Sequence, residues 1–108
     1  MSFEATYNKG FRMNFENGFS ISVQWGSMNY CEKKNLGAEY KDEIKNNIWE
    51  SANAEIAIID PEGEMLAIGD EDSVIGWCTP DEVAKIIQGV SLAESSDEII
   101  GEIKLLKI

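Results

Sequence analysis

The segment Gln24–Cys31 concentrates the side chains of this chain that are best suited to binding. Trp25 and Tyr30 each offer flat apolar surface together with one polar group. The neighbouring hydrogen-bonding groups, which would orient a ligand, belong to Gln24, Ser27 and Asn29. This combination is typical of a pocket for a small molecule or a peptide. The competing interpretation is a strand end and a turn whose aromatic rings belong to the core.

A second candidate region runs from Gly76 to Pro80, where a strand is predicted to lead into a helix. Trp77 adds a further aromatic side chain, and Thr79 adds a hydroxyl. A helix N-terminus attracts anions, but two acidic residues already lie in that field, so simple capping by Thr79 is the competing interpretation. If Trp25 and Trp77 lie at adjacent strand ends, one aromatic rim would join the two regions.

Enzymatic chemistry finds little support in the residue types. The chain has no histidine, which excludes a Ser-His-Asp triad, a Cys-His pair and an imidazole metal site. Cys31 and Cys78 are expected to be reduced, idle thiols. The acidic run Asp70–Asp72 departs from an EF-hand loop, because Val74 and Ile75 stand where a ligand and a glycine belong; a solvated turn is expected, with a weak divalent site as the alternative. These residue types favour a binding protein without a cofactor or catalytic metal, and an enzyme that uses the Gln24–Cys31 and Trp77–Thr79 segments stays the alternative.

Alternating apolar residues predict two strands on either side of Glu16-Asn17-Gly18. A two-residue loop would pair Phe15 with Ser20 and mix apolar with polar side chains on both faces. A three-residue loop pairs Phe15 with Phe19 and keeps the apolar residues on one face. It predicts a type I turn and a positive φ angle at Gly18, which forms a G1 bulge. The further pairs that it predicts are Met13 with Ile21 and Phe11 with Val23.

A second hairpin is expected to use the same turn, with strands at 55–60 and 64–68 around Pro61-Glu62-Gly63. The predicted pairs are Ile59 with Met65, Ile58 with Leu66, Ala57 with Ala67 and Ile56 with Ile68. Because both faces of this hairpin are apolar, we expect it to be central in the sheet and covered by a helix on one side.

A short strand at Val74–Trp77 is predicted to precede a helix at about 80–88. Thr79 can cap this helix, the proline that follows suits the first helical position, and Glu82 completes a capping box. Apolar residues then recur at helical spacing. Gly89 is expected to end the helix.

The last segment, 98–108, fits either a helix that starts near Ser95 or a strand, and its isoleucine content and Gly101 favour the strand. The elements together predict an α+β fold. Its antiparallel sheet of about four to six strands is built from two G1-bulge hairpins, and one helix, at about 80–88, packs on a face.

Length and charge bound the remaining possibilities. The 108 residues fit one small globular domain, 1–108, with a long polar and irregular region at about 26–53 that is helical in part, around 39–48. The formal net charge is −11. Residues 1–34 have a net charge of +1, so residues 35–108 have a net charge of −12. Conventional nucleic-acid binding is not expected of such an acidic chain. No segment is typical of a secretory signal or a membrane span, so we expect a cytoplasmic protein without a membrane partner.

Several blocks of the sequence resemble a family of small tailed-phage proteins with no established activity. The main block, from Phe15 to Cys31, carries Phe-x-Asn-Gly, a strand, Ser-Val-Gln-Trp-Gly and Asn-Tyr-Cys. The remaining blocks are Ala54–Ala57, Gly76–Trp77 and Thr79–Val83. The likeness covers about residues 11–90 and transfers no site residues. It implies a phage-encoded accessory protein of the host cell cytoplasm, and such proteins often act by binding.

Three functional hypotheses follow from these features. The preferred one is a non-enzymatic accessory protein that binds a host protein, such as a defence factor, and inhibits it, because Trp and Tyr are the usual anchors of interfaces. The second is a protein that binds or sequesters a small ligand or nucleotide; an anion would need the clustered basic residues Lys9, Arg12, Lys33 and Lys34. The third is an acidic DNA mimic. The partner and the oligomeric state stay open.

Overall fold

The computed structural model describes residues 1–6, 9–26, 29–32, 50–69 and 73–107. Within these residues the chain forms five strands followed by two helices. The strands are β1 (Ser2–Ala5), β2 (Gly10–Asn14), β3 (Ser20–Gln24), β4 (Ala54–Ile59) and β5 (Val74–Cys78), and the helices are α1 (Pro80–Leu92) and α2 (Ser96–Lys107). The helix predicted around 39–48 and the acidic run Asp70–Asp72 lie outside the described residues.

The sheet is antiparallel throughout, with the strand order β1-β2-β3-β4-β5. Each strand therefore pairs with its neighbours in sequence, and the predicted α+β fold is confirmed. The strand β1, which was not predicted, forms one edge beside β2, and β5 forms the other edge beside β4.

The first hairpin joins β2 to β3 in the predicted register. The Phe15 N–H donates to the Phe19 carbonyl at 2.9 Å, and Gly18 has a φ angle of 94°. The pairs inside the strands include Met13 with Ile21 and Phe11 with Val23. The left-handed conformation favours glycine, because a side chain there meets the following carbonyl. The G1-bulge prediction is thus confirmed.

The second turn also forms as predicted. Gly63 has a φ angle of 87°, and its N–H donates to the Asp60 carbonyl at 2.9 Å. The Asp60 carboxylate accepts the Glu62 and Glu64 N–H groups at 3.0 and 2.9 Å, which fixes the loop.

The prediction that residues 64–68 form the second strand of that hairpin holds only for its first pairs and is wrong beyond residue 66. Ile59 does bridge Met65, and the Leu66 N–H donates to the Ile58 carbonyl at 2.8 Å. The strand β4 then pairs with β5 instead, in the pairs Ile56 with Ile75 and Ala57 with Val74. The chain leaves the ladder after residue 66 because Leu66 and Ile68 are buried in the core, while the β-branched β5 supplies the partner strand.

The start of α1 confirms the predicted capping box. The Thr79 hydroxyl accepts the Glu82 N–H at 3.2 Å, and the Glu82 carboxylate accepts the Thr79 N–H at 2.9 Å. The predicted end at Gly89 is wrong, since the helix runs on to Leu92. A Cβ at Gly89 would meet the Glu102 carboxylate of α2, so this glycine allows the two helices to approach closely.

The true end of α1 is tied to the first hairpin. The Asn17 side-chain amide donates to the carbonyls of Val90 at 2.8 Å and Ala93 at 3.0 Å. Carbonyls at a helix C-terminus lack partners within the helix, so a turn residue far away in sequence satisfies them.

The segment predicted as a C-terminal strand is the helix α2, which corrects that expectation. The Ser95 hydroxyl accepts the Glu98 N–H at 3.3 Å at its start. Ile99 and Ile103 are buried one helical turn apart, so the period of the apolar pattern is helical. Gly101 faces open space, and its cost of about 1 kcal/mol in a helix is smaller than the gain of burying two isoleucines, about 1.5–3 kcal/mol each.

The helices cover one face of the sheet, where α1 contacts β3 and β4 and α2 packs on α1. The core residues of this layer include Ile21, Val23, Ala54, Ile56, Ile58, Cys78, Ile86, Val90, Ile99 and Ile103. Alternate residues of the strands point to the opposite face, which we call the open face because neither of the described helices covers it. No helix of the described ranges combines the length and the apolar character needed to cross a membrane.

Candidate functional site

The chain leaves β3 through a tight turn that Gly26 and Asn29 close. The Gly26 N–H donates to the Asn29 side-chain oxygen at 2.9 Å, and the Asn29 N–H donates to the Gly26 carbonyl at 3.1 Å. A Cβ at Gly26 would lie 2.8 Å from the side chain of Lys9, so only glycine fits here without a shift of that side chain. The turn directs the following residues across the end of the sheet toward β5.

Tyr30 is held there by Glu55, which lies on the open face between the buried Ala54 and Ile56 of β4. The Tyr30 N–H donates to one Glu55 oxygen at 2.8 Å, and the Asn29 side-chain amide donates to the other at 3.2 Å. Hydrogen bonds to an ionised carboxylate are stronger than neutral ones. Glu55 therefore anchors the segment after β3 to the sheet.

The other side of Tyr30 meets β5. The Tyr30 carbonyl accepts the Trp77 N–H at 2.9 Å, and a Cβ at Gly76 would lie 2.5 Å from the Cβ of Tyr30. The rings of Tyr30 and Trp77 pack with their centroids 5.6 Å apart and tilted by 31°. We call Tyr30 and Trp77 the aromatic pair. Both side chains are exposed, Trp77 to 53% and Tyr30 to 40%.

Trp77 has a φ angle of 52°, and it is the only non-glycine residue of the described ranges with a positive φ. The pairing of β4 with β5 is irregular at this point, between the Ala54–Cys78 and Ile56–Ile75 pairs. A left-handed conformation costs a side chain other than glycine about 1–2 kcal/mol. The bulge, the left-handed backbone and the ring contact with Tyr30 thus coincide at Trp77, and such strain tends to collect at functional sites.

Trp25 lies on the helix-covered side, in a cleft between the sheet and α1. Its ring meets that of Phe11 edge to face, with centroids 6.2 Å apart. The cleft has a volume of about 380 Å³. Its described lining is Phe11, Val23, Trp25, Glu50, Ser51, Asn53, Ala54, Cys78, Pro80, Val83, Ala84 and Ile87. The walls are apolar, and the polar groups come from the segment 50–53.

The structure thus divides the predicted site residues among several places. Asn29, Tyr30 and Trp77 come together, whereas Trp25 lines the cleft, so the two tryptophans do not form one rim. Thr79 caps the helix α1, and the Gln24 side-chain amide donates to the Ser22 hydroxyl at 3.0 Å. Ser27 lies outside the described residues.

The sequence did not predict a role for Glu55 or Gly76, the two residues that position the aromatic pair. A usable signal for Glu55 was present, since it is the single charge in the strand Ala54–Ile59. A half-buried carboxylate within a sheet needs partners, and the backbone and side chain of the segment after β3 supply them. Gly76 carried no comparable signal, because its role depends on Tyr30, which lies 46 positions earlier in the sequence.

The described residues offer little support for thiol chemistry, metal binding or anion binding. Cys31 and Cys78 form no disulfide, and both are buried. The described ranges contain no group of three or more Cys, Asp or Glu side chains arranged to hold a metal ion. Arg12 is engaged on the open face, where its Nε donates to Asn14 at 3.0 Å and lies 3.6 Å from a Glu4 oxygen. Lys33 and Lys34, two of the four clustered basic residues, lie outside the described residues.

The comparisons with known proteins add no relatives. No protein-family description, curated protein or solved structure matches the chain.

Proposed function

We propose that this chain is a non-enzymatic binding protein that holds a protein partner through the aromatic pair. The observation that carries the proposal is Trp77, which is half exposed although its backbone is strained and its position is fixed by a bulge and a hydrogen bond. A tryptophan that served only the core would be buried. Tryptophan and tyrosine are the residues most enriched among the energetic anchors of interfaces.

The surroundings of the pair fit a binding surface. The Glu55 carboxylate and the Trp77 N–H hold the Tyr30 backbone from two sides, so the rings are preorganised and little entropy is lost when a partner docks. The net charge of −11 would steer a partner that carries basic groups around an apolar pocket. The setting we propose, a phage accessory protein that inhibits a host factor, is supported by the resemblance of residues 11–90.

Affinity capture from host lysate tests this proposal. The wild-type chain is compared with Trp77→Gly, which removes the ring and relieves the strained backbone. The matched control is Leu105→Ser, which removes a side chain that is 80% exposed on α2, away from the aromatic pair. We expect a protein retained at moderate salt by the wild type and by Leu105→Ser, and lost with Trp77→Gly. Retention of the same proteins by Trp77→Gly would contradict the proposal, as would the absence of any retained protein.

The cleft favours a second function, the binding of a small apolar molecule. Its volume lies within the range of small-molecule sites, about 300–1,000 Å³. The only charged side chain in its described lining is Glu50, so the site suits a neutral or cationic ligand better than a nucleotide. A thermal-shift screen tests this: a ligand at 100 times its dissociation constant stabilises by about 2.7 kcal/mol. Ala84→Trp, which would fill the cleft, should abolish the shift, and a shift that survives this change places the ligand elsewhere.

A further inference from the structure

The two edges of the sheet are protected very differently. Natural proteins block exposed edge strands with lysine, proline, bulges or covering segments, because the free N–H and carbonyl groups of an edge otherwise pair with another strand. At β5 the bulge beside Trp77 interrupts the strand, and the Tyr30 carbonyl occupies the Trp77 N–H. This edge is closed to further strands at that point.

Within the described residues, the edge at β1 shows none of these devices. Its sequence, Ser-Phe-Glu-Ala, contains no proline or lysine, and its pairing with β2 is regular from Ser2 to Ala5. All four of its residues are exposed, and Phe3 is exposed to 79%. No other strand of the described residues lies on its outer side.

Charge does not oppose self-association at this edge. Glu4, the one charged side chain of β1, is already bound within its own chain, with an oxygen 2.7 Å from the Asn14 amide and 3.6 Å from the Arg12 Nε. Residues 1–26 contain two acidic and two basic side chains, so this part of an otherwise acidic chain is neutral. A second copy could approach here without the repulsion expected elsewhere.

We propose that β1 is a dimerisation edge, at which a second copy of this chain pairs its own β1 antiparallel across a two-fold axis, with Phe3 opposite the second copy's Phe3. Of the described helices, α1 packs against β3 and β4, and α2 packs against α1. The two sheets would join into one, with the helix layers on the same side.

The register follows from symmetry and charge. A two-fold axis perpendicular to the sheet keeps both helix layers on one side, so it must pass between two copies of one residue. Centring on Glu4 would place two carboxylates directly opposite each other, which is destabilising. Centring on Phe3 places the two aromatic rings together, Ser2 opposite Glu4, and Met1 opposite Ala5. An interface this short lies at the small end of protein contacts, so we expect a concentration-dependent dimer.

Sedimentation over a range of concentrations, combined with disulfide trapping, tests the proposal. Phe3→Cys places two thiols on α-carbons about 4.5–5.5 Å apart in the predicted pair, which a disulfide can span. Ser2→Cys is the matched control, because its two copies would be about 8 Å apart in this register, beyond disulfide reach. The native cysteines are buried and do not compete. We expect rapid cross-linking of Phe3→Cys and slow cross-linking of Ser2→Cys.

Phe3→Lys adds an edge-blocking lysine at an exposed position, so it should fold normally and remain monomeric. Leu105→Lys changes an equally exposed leucine on α2 and should dimerise like the wild type. A wild type that is monomeric at every concentration would overturn the proposal. A dimer that persists in Phe3→Lys, or cross-linking of Ser2→Cys as fast as that of Phe3→Cys, would overturn it equally.

Discussion

Because the backbone of Trp77 is strained, we predict that Trp77→Gly has a higher free energy of unfolding than Trp77→Ala. Trp77→Ala and Trp77→Gly remove the same ring and its contact with Tyr30, so they differ only in the backbone. In an ordinary strand or helix, alanine is favoured over glycine by about 0.5–1 kcal/mol. At a φ angle of 52° the order should reverse, because the left-handed conformation costs alanine about 1–2 kcal/mol and costs glycine almost nothing.

The net expectation is that Trp77→Gly unfolds with a free energy about 0.5–1 kcal/mol higher than that of Trp77→Ala, since the greater freedom of glycine in the unfolded chain offsets part of the gain. Trp77→Ala should be less stable than the wild type by the lost ring contact, about 0.5–1.5 kcal/mol for an aromatic pair, because alanine relieves none of the strain. The assay is urea unfolding followed by circular dichroism, because the change removes a tryptophan and alters fluorescence.

Ala84→Gly in α1 is the control, because its backbone is helical and its side chain is exposed. It should lose about 1 kcal/mol, the opposite sign from the comparison at position 77. If Trp77→Ala is as stable as Trp77→Gly or more so, the backbone at Trp77 is not left-handed in solution, and the argument for a strained, outward-turned anchor fails.

The remaining predictions concern the supports of the fold and of the aromatic pair, and all are read out as changes in the free energy of unfolding. Gly63→Ala should lose about 1–2 kcal/mol because its φ angle is 87°, whereas Gly101→Ala, in a helix, should gain about 0.5–1 kcal/mol; neither added Cβ meets another atom, so equal signs would refute the backbone argument. Thr79→Ala should lose about 1 kcal/mol through the cap of α1, and no loss would mean that Pro80 alone suffices. Glu55→Ala should lose about 1–3 kcal/mol and speed amide hydrogen exchange at Tyr30, and unchanged exchange there would show that Glu55 is not the anchor.

Sequence reasoning succeeded where one residue type meets one backbone requirement. Gly18 and Gly63 occupy the left-handed turn positions predicted for them, and Thr79 and Glu82 form the predicted capping box. These interactions are local, so the sequence nearby contains all the information about them. The register of the first hairpin belongs to the same class, because a slip by one residue would expose its whole apolar set.

The errors in the fold have a common cause, which is competition between distant partners. The strand β4 could pair with the residues after Gly63 or with β5, and nothing local decides between them. Gly89 was predicted to end the helix because glycine is common just after a helix end. In the structure the missing side chain instead leaves room for the Glu102 side chain of α2. The sequence of a single segment does not show what packs against it.

The candidate site was predictable only in part for the same reason. Asn29, Tyr30 and Trp77 were singled out because their side chains are suited to binding, and the structure brings them together. Glu55, which binds Asn29 and Tyr30, lies far from them in sequence, in β4. Trp25 separates from them because successive residues of a strand alternate between faces, and its side chain lines the cleft beside α1.

The two proposals about the sheet edges can be combined into one further test. A dimer paired through β1 would carry one aromatic pair at each far end of a continuous sheet, because β5 is the edge opposite β1 in each copy. A partner that is itself dimeric, or immobilised at high density, could then engage both ends, and its apparent affinity would exceed that of one site by up to about 10²–10⁴-fold. Phe3→Lys should remove this gain and leave the affinity for a monomeric, single-site partner unchanged, whereas Trp77→Gly should weaken both. Equal loss for the single-site partner with Phe3→Lys would instead mean that β1 contacts the partner directly, and the separation of roles between the two edges would be wrong.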